Sequence, residues 1–82
     1  MEAVYQEIKK ILSKNFFINP LAVKPLKSFR SDLGLNSIEF LEIVYEIEKM
    51  FRVNIPDSDL ENVRTVEDLA HCVEHQLEPV MA

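Results

Sequence analysis

Apolar positions recur along this chain with a helical period, and three stretches carry the pattern clearly. In residues 2–14, Val4, Ile8, Ile11 and Leu12 fall at i, i+4, i+7 and i+8, with Tyr5 alongside. This spacing predicts a first helix, α1, with Lys9, Lys10 and Lys14 toward its C-terminal end, where cations favour the helix dipole. In residues 37–51, Phe40, Ile43, Val44, Ile47, Met50 and Phe51 share one broad side, which predicts α2 and its core face. A short helical turn, α3, is expected over 57–62. A last helix, α4, opens at Thr65-Val66-Glu67-Asp68 with capping-box spacing, Asp standing in for Glu. Val66, Leu69, Ala70, Val73 and Leu77 form its core stripe, and Pro79 is expected to end it.

The α2 wheel has more than one apolar sector. Glu39, Glu42 and Glu46 fall together as an acidic ridge, and Ile38, Leu41 and Tyr45 form a second apolar strip on the other flank. A helix that only supports a core needs one stripe, so the second strip beside Ser37 and the ridge reads as a docking surface. The alternative is that the strip packs under the preceding loop.

The start of α2 is sharply marked. Gly34, the one glycine of the chain, sits where the backbone must turn before the helix. Asn36 with Glu39 three residues on makes a capping box, so Ser37 lies at the helix start among unpaired N–H groups. A phosphate on that hydroxyl would be well placed. Upstream, residues 15–36 form a long connection broken by Pro20 and Pro25, with Asn15 and Asn19 suited to turns. Phe16, Phe17, Ile18, Leu21, Val23, Leu26 and Phe29 are apolar for a free loop and are expected to pack across the helix ends.

The stretch Asp32-Leu33-Gly34-Leu35-Asn36-Ser37-Ile38 resembles the Asp-Leu-Gly-x-Asp-Ser-Leu motif of acyl carrier proteins. Phe29, the acidic amphipathic helix, Phe51, Ile55-Pro56-Asp57 and Thr65-Val66-Glu67-Asp68-Leu69 extend the likeness in order and spacing over about residues 26–77. In that family the serine carries 4′-phosphopantetheine in phosphodiester linkage, and Ser37 is the match, with Asp32 and Asn36 beside it. The resemblance implies an all-α fold: a small antiparallel bundle of three main helices plus one short helix, with a long loop between the first two. It implies a single domain over residues 1–82 that carries an acyl group as a thioester, in fatty-acid or specialised lipid or polyketide-type synthesis. It implies no catalysis by the chain itself. The expected partners are a phosphopantetheinyl transferase and acyl-processing enzymes with basic docking patches that meet Ile38, Glu39, Leu41, Glu42, Tyr45 and Glu46. An attached acyl chain is expected to slip partly between α2 and α4.

One departure from the family matters: Asn36 stands where Asp is usual, whereas Ile38 for Leu is a conservative swap. Asn36 keeps the cap and removes one negative charge beside the hydroxyl. That hints at a specialised carrier and leaves a non-covalent helical adaptor open as a second class of function. Within the carriers, a peptidyl carrier fits poorly because Gly34-Leu35-Asn36-Ser37 lacks the Gly-Gly-x-Ser pattern, whereas a D-alanyl carrier has a similar motif.

Composition agrees with a small helical domain of 82 residues with 48% hydrophobic content. No apolar run approaches the ~18 residues of a membrane span. Neither is a signal peptide visible, so a cytoplasmic monomer is expected, and a single cysteine excludes an internal disulfide. Charge is uneven: residues 1–30 hold six Lys and Arg against two Glu, whereas residues 31–82 hold three against twelve acids. The acidic part contains the Ser37 helix, which argues against nucleic acid and for basic protein patches as partners.

Other candidate chemistry is thin. A serine nucleophile needs an oriented base, and the two histidines, His71 and His75, lie on α4 without a Gly-x-Ser-x-Gly turn at Ser37. Their i, i+4 spacing suits a metal, but no further ligand completes a site, so they read as solvent-facing, with no metal expected. Cys72 reads as a half-buried apolar residue, and Lys9 and Lys10 as part of a solvated face.

Overall fold

The computed structural model describes residues 2–77. Its elements are α1 (Glu2–Phe16), a 3₁₀ turn (Pro20–Ala22), α2 (Ser37–Phe51), α3 (Asp57–Leu60) and α4 (Val66–Leu77). The fold is all-α: α1 packs on both α2 and α4, and α3 packs on α4. The sequence-expected bundle is therefore observed, with α1 longer by two residues and α3 shorter by two. Asn15, expected in a turn, lies inside α1. Pro79 lies outside the described residues.

The core follows the apolar periods. Val4, Ile8, Ile11 and Leu12 of α1 meet Ile43, Val44 and Ile47 of α2 and Val66, Leu69, Ala70 and Val73 of α4, all buried. Among the described residues, no polar or charged residue is buried with them. Met50 and Leu77 are corrections: both were placed on core stripes, and both are exposed. At 100° per residue Met50 stands about 60° from Ile47 on the side of the acidic ridge, whereas Phe51 stands about 40° away on the inner side. Leu77 lies in the final turn of α4.

The long loop is tied down in a different way from the one its composition suggested. Val23, Phe29 and Leu35 enter the core, and Phe16 and Ile18 pack at its edge. Phe17, Leu21 and Leu26 instead face solvent. Phe17 has φ 58°, a left-handed backbone that turns the chain out of α1 and leaves its ring 91% exposed. Polar pairing does the remaining work. The Tyr5 hydroxyl donates to the Val23 carbonyl at 2.6 Å. Phe29 N–H donates to Arg64 C=O, Val66 N–H to Lys27 C=O and Glu67 N–H to Pro25 C=O. An isolated antiparallel bridge joins Ser28 and Thr65. These bonds lay residues 25–29 across the start of α4, which brings the loop's later half to the side of α2 that bears Ser37.

Candidate functional site

Three devices set the entrance to α2. Asp32 accepts a hydrogen bond from Ser28 N–H at 2.8 Å, and Ser28 Oγ accepts from Asp32 N–H at 3.0 Å. The Ser28 amide holds the Asp32 carboxyl below the usual carboxylate range, with slight burial opposing and Lys27 assisting. Next, Gly34 takes φ 70°, a left-handed turn that a side-chain-bearing residue would adopt only with strain. The third is the capping box: Asn36 Oδ1 accepts from Glu39 N–H at 2.8 Å, and Glu39 Oε1 accepts from Asn36 N–H at 3.0 Å. Asn36 itself is extended (φ −85°, ψ 176°), as an N-cap must be.

Ser37 is thereby the first residue of α2, exposed, and its hydroxyl makes no hydrogen bond among the described residues. It opens on a cleft of about 660 Å³. Phe29, Leu35, Phe40, Leu60 and Val63 line its interior, while Arg30, Arg64, Ser28, Ser31 and Asn36 stand among its polar residues. The Phe29 and Phe40 rings, both lining the cleft, meet with their centroids 5.0 Å apart. Asp32 does not line the cleft; it shapes the turn that leads to it. An alkyl-phosphate group on Ser37 fits this surface: the helix start offers N–H donors, the hydroxyl is free, and apolar space lies beside it.

The flank strip is open. Ile38, Leu41 and Tyr45 are 70%, 56% and 60% exposed, so they do not pack under the loop. With Asn15 and Phe16 of α1 and with Glu42 and Glu46 they line a shallow groove of about 500 Å³. Phe16 was missed as a groove residue, because its place depends on how α1 ends. The Lys49 ammonium sits 5.3 Å from the Tyr45 ring and 3.9 Å from Glu46.

Glu48 is a second residue the sequence did not single out. Its Oε2 accepts from Ile55 N–H at 2.7 Å, and its carbonyl accepts from Val53 N–H at 3.1 Å, fixing the link from α2 to α3. No periodicity flags a contact between a helix and an extended segment. His71 and His75 are exposed on α4. Burial, with Asp59 and Asp68 nearby, pushes the Cys72 thiol up, which disfavours its nucleophilic form.

A family model described as "Phosphopantetheine attachment site" matches residues 6–73, most of the chain. The chain belongs to this family. As a member it is a carrier and not an enzyme, and its cofactor is 4′-phosphopantetheine. Relatives named acyl carrier protein agree with this. That of Phytoplasma australiense is 36% identical over 74 residues, covering 90% of this chain and 97% of its own. That of Rubrobacter xylanophilus is 36% identical over 76 residues, covering 92% and 94%. The solved acyl carrier protein from Enterococcus faecalis superposes with a TM-score of 0.76 at 32% identity, covering 92% of this chain and 95% of that one. The carrier works with a phosphopantetheinyl transferase and acyl-processing enzymes. No described helix is long and apolar enough to cross a membrane.

Proposed function

We propose that Ser37 is the residue to which phosphopantetheine is attached, and that this carrier presents its acyl group through the α2 face. The observation that carries the reading is the position of Ser37: first residue of a capped helix, exposed, unbonded and at the mouth of an apolar cleft. In the loading reaction a transferase removes the Ser37 proton. The oxygen then attacks the pantetheine-linked phosphorus of coenzyme A, forming the O–P bond as the phosphoanhydride breaks and adenosine 3′,5′-bisphosphate leaves. The transferase complex supplies a divalent metal for this step. Once attached, the arm supplies a terminal thiol on which an acyl group rides as a thioester.

The chain's own residues then do three things. The Asp32–Ser28 pairing and Gly34 hold the loop so that Ser37 faces outward. Glu39, Glu42 and Glu46 attract basic patches on partner enzymes, and because these charges are exposed the attraction speeds encounter and falls with salt. Ile38, Leu41 and Tyr45, with Phe16, give the apolar contact, small enough for partners to exchange. An acyl chain drawn back to the protein would meet the cleft between α2, the loop and the α3 end, not the seam between α2 and α4. The cleft is lined by no residue of α4, and Ile47 and Leu69 are fully buried. A reducing compartment, the cytoplasm, suits the free Cys72.

Charging assays test the cargo class. The arm-bearing protein is offered to fatty-acyl, aminoacyl and D-alanyl activating enzymes. Charging by the fatty-acyl enzyme supports the acyl reading, and charging by the D-alanyl enzyme alone would replace it.

A further inference from the structure

Two arginines line the cleft on which Ser37 opens, and one of them comes from the acidic part of the chain. Residues 31–82 hold three bases against twelve acids, and Arg64 is one of the three. It lines the Ser37 cleft, and Arg30 lines the same cleft. Backbone pairing brings them there: Phe29 N–H donates to the Arg64 carbonyl at 2.9 Å, beside the Ser28–Thr65 bridge. Neither guanidinium is paired with a carboxylate among the described residues, although Glu61 lines the cleft too. The residue next to Ser37, where a carboxylate would compete for them, is the neutral Asn36.

We propose that Arg30 and Arg64 form a guanidinium rim that holds the phosphodiester of the arm on Ser37, so that the arm lies over the cleft instead of out in solvent. This rests on Ser37 as the attachment residue. A phosphodiester keeps one negative charge at any physiological pH, and guanidinium is the side chain best matched to phosphate oxygens. Ser37 lines the same cleft as the two arginines, so a phosphate on its hydroxyl would stand on the surface they share. The apolar interior, with Leu35, Phe40, Leu60 and Val63, is then beside whatever acyl group follows. A thioester held there is shielded from water and from small nucleophiles, and a partner's basic patch that competes for the phosphodiester would release it.

The test uses the full chain. Wild type, Arg30→Gln, the double variant R30Q/R64Q and the double lysine variant are loaded with hexanoyl-phosphopantetheine from hexanoyl-coenzyme A by a broad-specificity transferase, and loading is checked by mass. Circular dichroism establishes that each is folded, and the single variant keeps the test open should the double one fail. Two readouts follow: the Nε–Hε resonances of Arg30 and Arg64 in unmodified and modified wild type, and the rate of thioester cleavage by neutral hydroxylamine. The expected result is that both resonances move on modification. Cleavage is roughly fivefold faster in the double glutamine variant, the scale set by two exposed charge pairs. At an ionic strength of ~1 M, where the Debye length is about 3 Å, wild type rises to the variant's rate. The lysine variant falls between the two. Unmoved resonances with equal cleavage rates in loaded protein would overturn the rim while leaving the attachment intact. No mass gain on wild type would overturn the attachment at Ser37, and the rim with it.

Discussion

Asn36 and Glu39 exchange hydrogen bonds across the first turn of α2, each side chain accepting from the other's backbone N–H at 2.8 and 3.0 Å. The pairing explains how the chain tolerates Asn where its family has Asp. Capping needs an acceptor oxygen, and the amide supplies one. Asn36→Ala should therefore destabilise the fold by about 1 kcal/mol in urea titration. Asn36→Asp should keep stability within about 0.5 kcal/mol, the carboxylate gaining slightly from the helix dipole. If Asn36→Asp were as damaging as Asn36→Ala, the capping account would be wrong.

Glu39 belongs to both the cap and the acidic ridge, and one substitution separates the two roles. Glu39→Gln keeps an acceptor for the Asn36 N–H and removes the charge. It should leave the urea midpoint almost unchanged. It should weaken association with a basic partner mainly through a slower on-rate, and the difference from wild type should vanish at high salt.

The two ends of the chain's helices show what the sequence did and did not disclose. Helical period placed all three main helices and most of the core, because burial of one face is a local property of the pattern. The cap at Asn36 and the turn at Gly34 were legible for the same reason: each needs a residue type at a fixed offset. Phe17, Leu21 and Leu26 were misjudged because an apolar loop residue carries no period, so its direction is decided by backbone turns. Met50 fell at the edge of a stripe where a few tens of degrees decide between core and ridge. The Glu48 contact with Ile55 and the meeting of Arg30 with Arg64 at one cleft are products of tertiary pairing, invisible until residues 25–29 are laid across α4.

Phe17 ends α1 in a left-handed conformation usually filled by glycine, with its ring in solvent. Phe17→Gly should relieve that strain and stabilise the fold by about 1 kcal/mol. A lower melting temperature for the variant would show that the ring contributes packing.

Acid should unfold the protein through carboxylates that cap. Asp68 accepts from the N–H groups of Arg64 and Thr65 at 3.0 and 3.1 Å. Burial opposes its charge, but these two bonds, with the Thr65 hydroxyl and His71, outweigh it and lower its pKa below the ordinary 3.8. Asp32 is shifted the same way, first by the Ser28 amide. A group whose folded pKa is depressed contributes stability that is complete above its unfolded value and is lost as pH falls through the folded one. Stability should thus be flat in this respect above about pH 5 and fall below about pH 4. Asp68→Asn should be less stable at neutral pH and show a shallower acid slope. An unchanged slope would mean that other carboxylates govern acid unfolding.

The central claim is that Ser37 bears the arm, and the intact mass of the chain tests it most directly. Wild type and Ser37→Ala are incubated with coenzyme A, magnesium and a broad-specificity phosphopantetheinyl transferase. The account predicts a gain of one phosphopantetheine on wild type and none on Ser37→Ala. A gain on both would put the arm on another residue, and a gain on neither, with several transferases, would contradict attachment at Ser37 and bring forward a non-covalent adaptor.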